Sequence, residues 1–244
     1  MNLEEFPERV KNDIEDQSLT LLEIVKDDIV VIGGWAVRVL AGKKHIRYTL
    51  DIDGITPREN LPKIKRKLQN LLTRESDWGT QFYQRYVPQV DITNKEVMEA
   101  VEQVELRMEI SEPRIKEFQS HHYFEFDLSE YESRKIRYHN KPEVLTVKVP
   151  SAEKMAAVKL GLPADYKNNF DAAVLLQMSD IDRVIQAIKE NNDWSEMVLR
   201  RMDKKIGRAK DPARLEHALL INAGITIREY VNKLKYIKDQ LKEG

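Results

Sequence analysis

The alternation of apolar and polar residues divides the chain into two stretches of different character. Through residues 2–26, Leu3, Phe6, Val10, Ile14, Leu21, Leu22 and Val25 recur near helical spacing and predict a helix, with Pro7 tolerated in an early turn. Asp27-Asp28 breaks that pattern. Ile29-Val30-Val31-Ile32 follows as a short β-branched run, the signature of a strand buried on both faces. Gly33-Gly34 ends it, and residues 35–40 restart as helix up to Gly42. The pattern then predicts a strand over residues 47–53, a basic amphipathic helix over 63–72, an extended stretch over 80–93 interrupted by Pro88, and a helix over 94–107. Residues 123–128, 134–139 and 144–149 read as short strands. After Pro150 nearly everything reads as helix, with breaks at Gly161-Leu162-Pro163, Ser179-Asp180, 191–193, Gly207, Asp211-Pro212 and Gly224. The expected organisation is an α/β module of residues 1–150 followed by a helical domain of residues 151–244.

Composition narrows the chemistry. The 244 residues are 41% hydrophobic and 33% charged, enough apolar material for a sizeable core. The absence of cysteine excludes disulfides, thiolate-held zinc, iron–sulfur clusters and a thiol nucleophile. No apolar run approaches eighteen residues, and MNLEEFPERV lacks a cationic segment followed by an apolar one. The expectation is a soluble, cytoplasmic protein with no membrane partner. A formal net charge of −1 conceals an asymmetry: residues 1–150 hold 23 basic against 27 acidic side chains, and residues 151–244 hold 17 against 14. The basic excess gathers at Arg200, Arg201, Lys204, Lys205, Arg208, Lys210 and Arg214. A charged helical surface is the commoner reading of such a cluster, and a grip on RNA phosphates the sharper one.

Residues 31–53, VIGGWAVRVLAGKKHIRYTLDID, carry the most chemistry. A strand that ends in Gly33-Gly34 and opens directly into a helix presents backbone N–H groups where a phosphate can approach closely. The following strand closes on Asp51-Ile52-Asp53, and strand periodicity turns both carboxylates to one face. Two hard oxygen donors beside a phosphate cradle suit Mg²⁺, and a pair of such ions can activate a hydroxyl and stabilise a pyrophosphate leaving group.

In this order the motif resembles that of the polymerase-β-type nucleotidyltransferase superfamily, hG[GS], helix, then hDhD on the next strand. Gly33-Gly34-Trp35-Ala36 with Arg47-x-Thr49-x-Asp51-x-Asp53 is similar to the aminoglycoside and lincosamide nucleotidyltransferases and to AbiEii-type proteins. A second block, Ser151-x-Glu153 with Lys159, followed by Lys167 and Asp171, is similar to the "sxExxxxxK" helix and the basic–Asp helix of the AbiEii type. The resemblance covers roughly residues 28–93 and 149–175. It implies an α+β fold, a mixed sheet with flanking helices followed by a C-terminal helical bundle. It also implies transfer of a nucleoside monophosphate from an NTP to an acceptor hydroxyl, with two Mg²⁺ ions. Gly33, Gly34, Arg47, Thr49, Lys159 and Asp171 would then hold the nucleotide, and Asp51 and Asp53 the metal. A third carboxylate on a later strand is implied too. Asp91, in Val90-Asp91-Ile92, is preferred, with Asp127 and Glu125 as rivals on a shared strand face. The acceptor implied is tRNA or another RNA, a protein, or a small molecule, and an AbiEii-like toxin would have a cognate antitoxin as partner. A catalytically silent binding module is the alternative class. Many relatives have Gly-Ser where this chain has Gly33-Gly34, so Gly34 offers only its N–H.

Three weaker features remain. Adjacent strand residues face opposite ways, which disfavours His121-His122 with Glu125 as a metal site. Trp35 reads as core. Lys167 and Asp171, four apart on a helix, form a natural local pair.

Overall fold

The computed structural model describes residues 5–45, 47–76, 79–116 and 122–243. Two compact units are interleaved along the chain. The first comprises Met1–Trp35, Arg47–Pro113 and Tyr131–Val149; the second comprises Ala36–Ile46, Arg114–Glu130 and Pro150–Gly244. The helices expected after residue 150 therefore share their unit with two segments drawn from the N-terminal half.

In the first unit, helix α1 (Glu8–Val25) precedes strand β1 (Val30–Ile32), which runs into the start of α2 (Gly33–Ala41). Then come β2 (Ile52–Ile55), α3 (Leu61–Lys67), β3 (Leu72–Glu75), β4 (Thr80–Arg85), α4 (Lys95–Val101) and β5 (Glu105–Ser111). The five strands form one mixed sheet in the order β1-β2-β5-β4-β3, with β2 and β5 parallel and every other pair antiparallel. Ile52, Leu106, Met108, Ile110 and Phe82 are wholly buried and alternate with polar neighbours, so one face of the sheet supplies core and the other stays polar. A two-stranded antiparallel ribbon, β8 (Glu132–Arg137) with β9 (Val144–Val149), completes this unit.

Helix α1 is amphipathic as expected, yet it buries Asp13, Glu15, Asp16 and Ser18 beside its apolar stripe. Each buried acid has donors, as burial requires. Asp13 accepts from the Tyr86 hydroxyl and from the Gln89 N–H at 2.9 Å. Asp16 accepts from the backbone N–H groups of His139 (2.6 Å) and Asn140 (2.8 Å). These bonds bind two loops to the helix that an apolar contact would leave unregistered.

In the second unit, the rest of α2 is joined by β6 (Arg114–Lys116), β7 (Tyr123–Glu125), α5 (Ala152–Gly161), α6 (Tyr166–Met178), α7 (Ile181–Lys189), α8 (Asn192–Lys210), α9 (Arg214–Asn222) and α10 (Ile227–Lys242). Helices α5 and α6 are buried along most of their length and sit in the core, whereas α7 shows one buried face. Ser151, Asp165 and Asp180 cap α5, α6 and α7 by accepting first-turn N–H groups. Trp194, fully buried, donates its indole N–H to the Ala157 carbonyl at 3.0 Å.

Several expectations change; the helix predicted over 63–72 spans Leu61–Lys67, and strand β3 begins at Leu72. The strand predicted over 47–53 is β2 at 52–55, because residues 47–51 bond to α1 instead of a neighbouring strand. The helix predicted over 94–107 stops at Val101, and β5 begins at Glu105. The extended stretch over 80–93 is a strand only to Arg85. Residues 2–4 of the predicted first helix lie outside the described residues.

Candidate active site

The sheet brings the first motif together. β1 and β2 pair antiparallel with Ile32 opposite Asp53, so the Gly33 turn falls beside that carboxylate. Gly33 has φ +66°, a left-handed conformation open to glycine at little cost. A Cβ there would lie 2.0 Å from the Asp53 Oδ2, and one on Gly34 would lie 2.6 Å from the Thr49 Oγ1 and 3.0 Å from the Arg47 Nη2. The two glycines thus admit Asp53, Thr49 and Arg47 to the start of α2, a packing reason added to the phosphate-approach reason read from sequence. Arg47 and Thr49 are buried, Asp53 is half-buried and Asp51 is exposed. Ile52 is wholly buried, so Asp53 beside it in the strand turns to the polar face, and Asp51 stands exposed just before the strand.

The irregular segment 47–51 is fastened by α1. The Thr49 N–H donates to Glu15 Oε1 at 3.1 Å, while Glu15 Oε2 meets His139 Nε2 at 2.6 Å. The Tyr48 hydroxyl donates to Asn12 Oδ1 at 3.1 Å. Glu15, wholly buried, positions the segment that carries Asp51, and its sequence context, an acid in an amphipathic helix, gave no hint of it.

Asp91 does not lie on a strand. It is exposed in the loop after β4, and β5 separates β4 from β2. The acid in register with Asp53 on the adjacent parallel strand is Glu109. Residues paired across strands project to the same face with Cβ atoms about 5 Å apart. Glu109 accepts from the Ser76 hydroxyl and, at 3.1 Å, from Gln81 Nε2. The polar alternation of Glu105, Arg107 and Glu109 against Leu106, Met108 and Ile110 was the available signal for this strand.

The rivals to Asp91 belong to the second unit. Strand β7 ends at Glu125, so Asp127 does not share its strand; Asp127 is exposed, and hydrogen bonds from the Ser129 hydroxyl and N–H hold its carboxyl below the usual range. His121 lies outside the described residues. Lys159 and Asp171 do meet: Lys159 Nζ is 2.8 Å from Asp171 Oδ2, and His45 Nε2 is 3.1 Å from Asp171 Oδ1, all three nearly or wholly buried. Asp171 therefore pairs with Lys159 and His45, and Lys167 is exposed. Trp35 is core, 1% exposed.

Among the described residues no group of three or more His, Asp or Glu side chains is gathered as a metal site. Mg²⁺ is commonly held by one or two carboxylates plus substrate phosphates, and the hard oxygens of Asp51 and Asp53, two residues apart, suit that mode. A pocket of about 360 Å³ in the first unit lies apart from this motif, lined by Asp13, Asp16, Gln17, Gln84 and Gln89 among others. Among the described residues no helix is long and apolar enough to cross a membrane.

No protein-family model and no curated protein matches the chain. Among solved structures it is similar to a provisionally named nucleotidyltransferase from H. pylori, at 15% identity over 98% of both chains with a TM-score of 0.48. It is also similar to the antibiotic-resistance factor ANT(2'')-Ia, at 15% identity over 72% of this chain and 90% of that one, with a TM-score of 0.45.

Proposed function

We propose that the chain is a nucleotidyltransferase that moves a nucleoside monophosphate from an NTP to an acceptor hydroxyl. The observation that carries this reading is the meeting of the Gly33-Gly34 turn with Asp53, Thr49 and Arg47, with Glu109 in register on the next strand. In the reaction the acceptor oxygen bonds to the α-phosphorus, the bond from that phosphorus to the bridging oxygen breaks, and pyrophosphate leaves with the electron pair. Bound Mg²⁺ would supply charge neutralisation for the pyrophosphate and acidify the acceptor hydroxyl. The α2 N-terminus offers N–H groups to phosphate oxygens. Glu15 keeps segment 47–51, and with it Asp51, in place. Asp51 and Asp53 hold the metal in this reading, and Glu109, in register with Asp53 on the next strand, replaces Asp91 as the neighbouring acid rather than as a third ligand. The AbiEii-like toxin role, with a cognate antitoxin, is the finer form of the proposal and rests on the Lys159–Asp171 block.

The test is transfer of label from each α-³²P NTP, with Mg²⁺, onto total cellular RNA, total protein and small polyols. Asp51→Asn and Asp53→Asn should abolish transfer while circular dichroism stays native. Glu109→Gln should cost about 10–100-fold and Asp91→Asn little. Labelling of one pool names the acceptor class. Silence in all of them refutes the reading in favour of a binding module.

A further inference from the structure

The cavity of about 360 Å³ in the first unit lies where α1 meets the end of β4 and the two loops that its buried acids hold. Its size falls within the range of small-molecule pockets, about 300–1,000 Å³. Gln84, on its wall, pairs across the sheet with Leu106 and is two residues from Phe82, so it belongs to the sheet face that supplies core. Asp53 and Glu109 project from the other face. The cavity is therefore separate from the candidate active site, behind the sheet that carries it.

Two carboxylates line it three residues apart on α1, a spacing that sets their Cβ atoms about 5–6 Å from one another. Asp13 is 4% exposed and Asp16 5%. The donors that reach Asp13 all bond to one oxygen. Its Oδ2 accepts from the Tyr86 hydroxyl, from the Gln89 N–H at 2.9 Å and from Gln17 Nε2 at 3.2 Å. Its Oδ1 receives no hydrogen bond from the described residues and is not sealed from solvent, so it fronts the cavity that Asp13 lines. Asp16 spends one bond on each oxygen, to the His139 and Asn140 N–H groups, and keeps acceptor capacity on both.

The remaining lining defines what these acids can receive. The side-chain amides of Gln84, Gln89 and Asn140 make no hydrogen bond within the described residues, so their carbonyl oxygens are open to donors. Leu21 contributes an apolar wall. At the rim the ammonium of Lys141 stands 3.3 Å from the Thr20 Oγ1 and 4.9 Å from the centre of the Tyr138 ring. A bare divalent ion would leave most of this volume unfilled, and an anion would face two buried negative charges. An ammonium carries three donors and no acceptor, which matches carboxylate and amide oxygens.

We infer that the cavity binds a linear diammonium compound, with one ammonium on Asp13 Oδ1, the other toward Asp16 and the intervening methylenes against Leu21. This site stands whether or not the chain transfers nucleotides.

The experiment is calorimetric titration of the full chain with 1,4-diaminobutane at pH 7.5 and low salt, with n-butylammonium and 1,4-butanediol in parallel. Wild type should bind the diammonium at least about tenfold more tightly than the monoammonium and should ignore the diol. Asp13→Asn keeps a carbonyl oxygen for the three donors and turns amide N–H groups toward the cavity. It should fold, and should bind at least about tenfold more weakly. Lys141→Met removes the like charge at the rim and should tighten binding about two- to fivefold. Glu99→Gln, at an exposed acid of α4, should stay within about twofold. Thermal melts establish that the variants are folded. Gln84→Glu, which adds a carboxylate to the wall without touching the bonds of Asp13, should tighten binding severalfold and keeps the comparison decisive if Asp13→Asn melts early. No binding by wild type, the result of a cavity that holds only water, would overturn the inference. Equal affinity in wild type and folded Asp13→Asn would do the same, as would butylammonium binding as tightly as the diammonium.

Discussion

Replacing Gly33 by alanine tests the geometry on which the candidate site depends. The backbone at φ +66° costs an L-residue about 1–2 kcal/mol. The new methyl carbon would fall 2.0 Å from the Oδ2, 2.8 Å from the Cγ and 3.0 Å from the Cβ of Asp53. Turning the carboxylate aside relieves the first two contacts at about 0.5–1.5 kcal/mol; the third involves the stem of the side chain and persists. Against this, alanine restricts the unfolded chain and returns about 0.4–1 kcal/mol. The net expectation is a loss of about 1–3 kcal/mol, read from urea midpoints at constant slope, with a fall in melting temperature of about 3–10 °C. Because the relieved structure has its carboxylate displaced by roughly 1 Å, label transfer should fall by about 100-fold even at temperatures where the variant is fully folded. The double variant Gly33→Ala/Asp53→Ala removes the Oδ2 and Cγ contacts and leaves the backbone strain. It should recover about 0.5–1.5 kcal/mol relative to additivity. A Gly33→Ala protein within about 0.5 kcal/mol of wild type, or a penalty indifferent to the Asp53 carboxylate, would refute the packing described here.

Three further outcomes are expected. Burial works against ionisation of Asp28, but the hydrogen bond from Lys63 and the ion pair with Lys67 at 2.7 Å prevail and hold its carboxyl below the usual range. Its contribution is therefore present above the unfolded carboxyl's pKa and is lost as pH falls through the lower folded value. Asp28→Asn should cost about 1–3 kcal/mol at pH 7, and the gap to wild type should narrow in urea titrations below pH 4. For Lys205, whose burial on α8 holds its pKa down to about 7, the sign is opposite: between that value and the free-lysine value of 10.5 the unfolded chain binds more protons. Stability of wild type relative to Lys205→Met should rise across that window, by at most about 1.4 kcal/mol per pH unit. Gly161→Ala would place a Cβ 2.3 Å from the Trp194 ring, so it should lose about 1–3 kcal/mol and change the tryptophan emission.

The elements legible from sequence were those whose local pattern and tertiary setting agree. Val30–Ile32, the Gly33 turn and the capped helices after Pro150 follow directly from β-branched runs, glycine and N-cap residues. Strand β5 was missed because Glu105, Leu106, Arg107 and Met108 are strong helix formers that continue the α4 pattern without a break, while their period-two alternation is set by burial against the sheet. Glu109, in register with Asp53, went unnoticed with the strand, and Asp91 read as a strand residue because an acid flanked by valine and isoleucine mimics one. Residues 47–51 looked like strand but spend hydrogen bonds on α1, on the buried Glu15 and on Asn12. Nor did the basic cluster at 200–214 forecast its division: Arg200 and Lys204 are exposed, while Lys205 turns inward.

The interleaving of the two units has a bearing on how such a chain could be dissected or shuffled. The polypeptide passes from one unit to the other five times, at Trp35, Ile46, Pro113, Glu130 and Val149. A truncation at residue 150 would strand most of α2 and the β6–β7 hairpin without the helices they pack among, and the excised helices would lack both pieces. No single crossover in a gene could graft these helices whole onto another first unit, so variation between the units must come from substitutions in place rather than from exchange of modules.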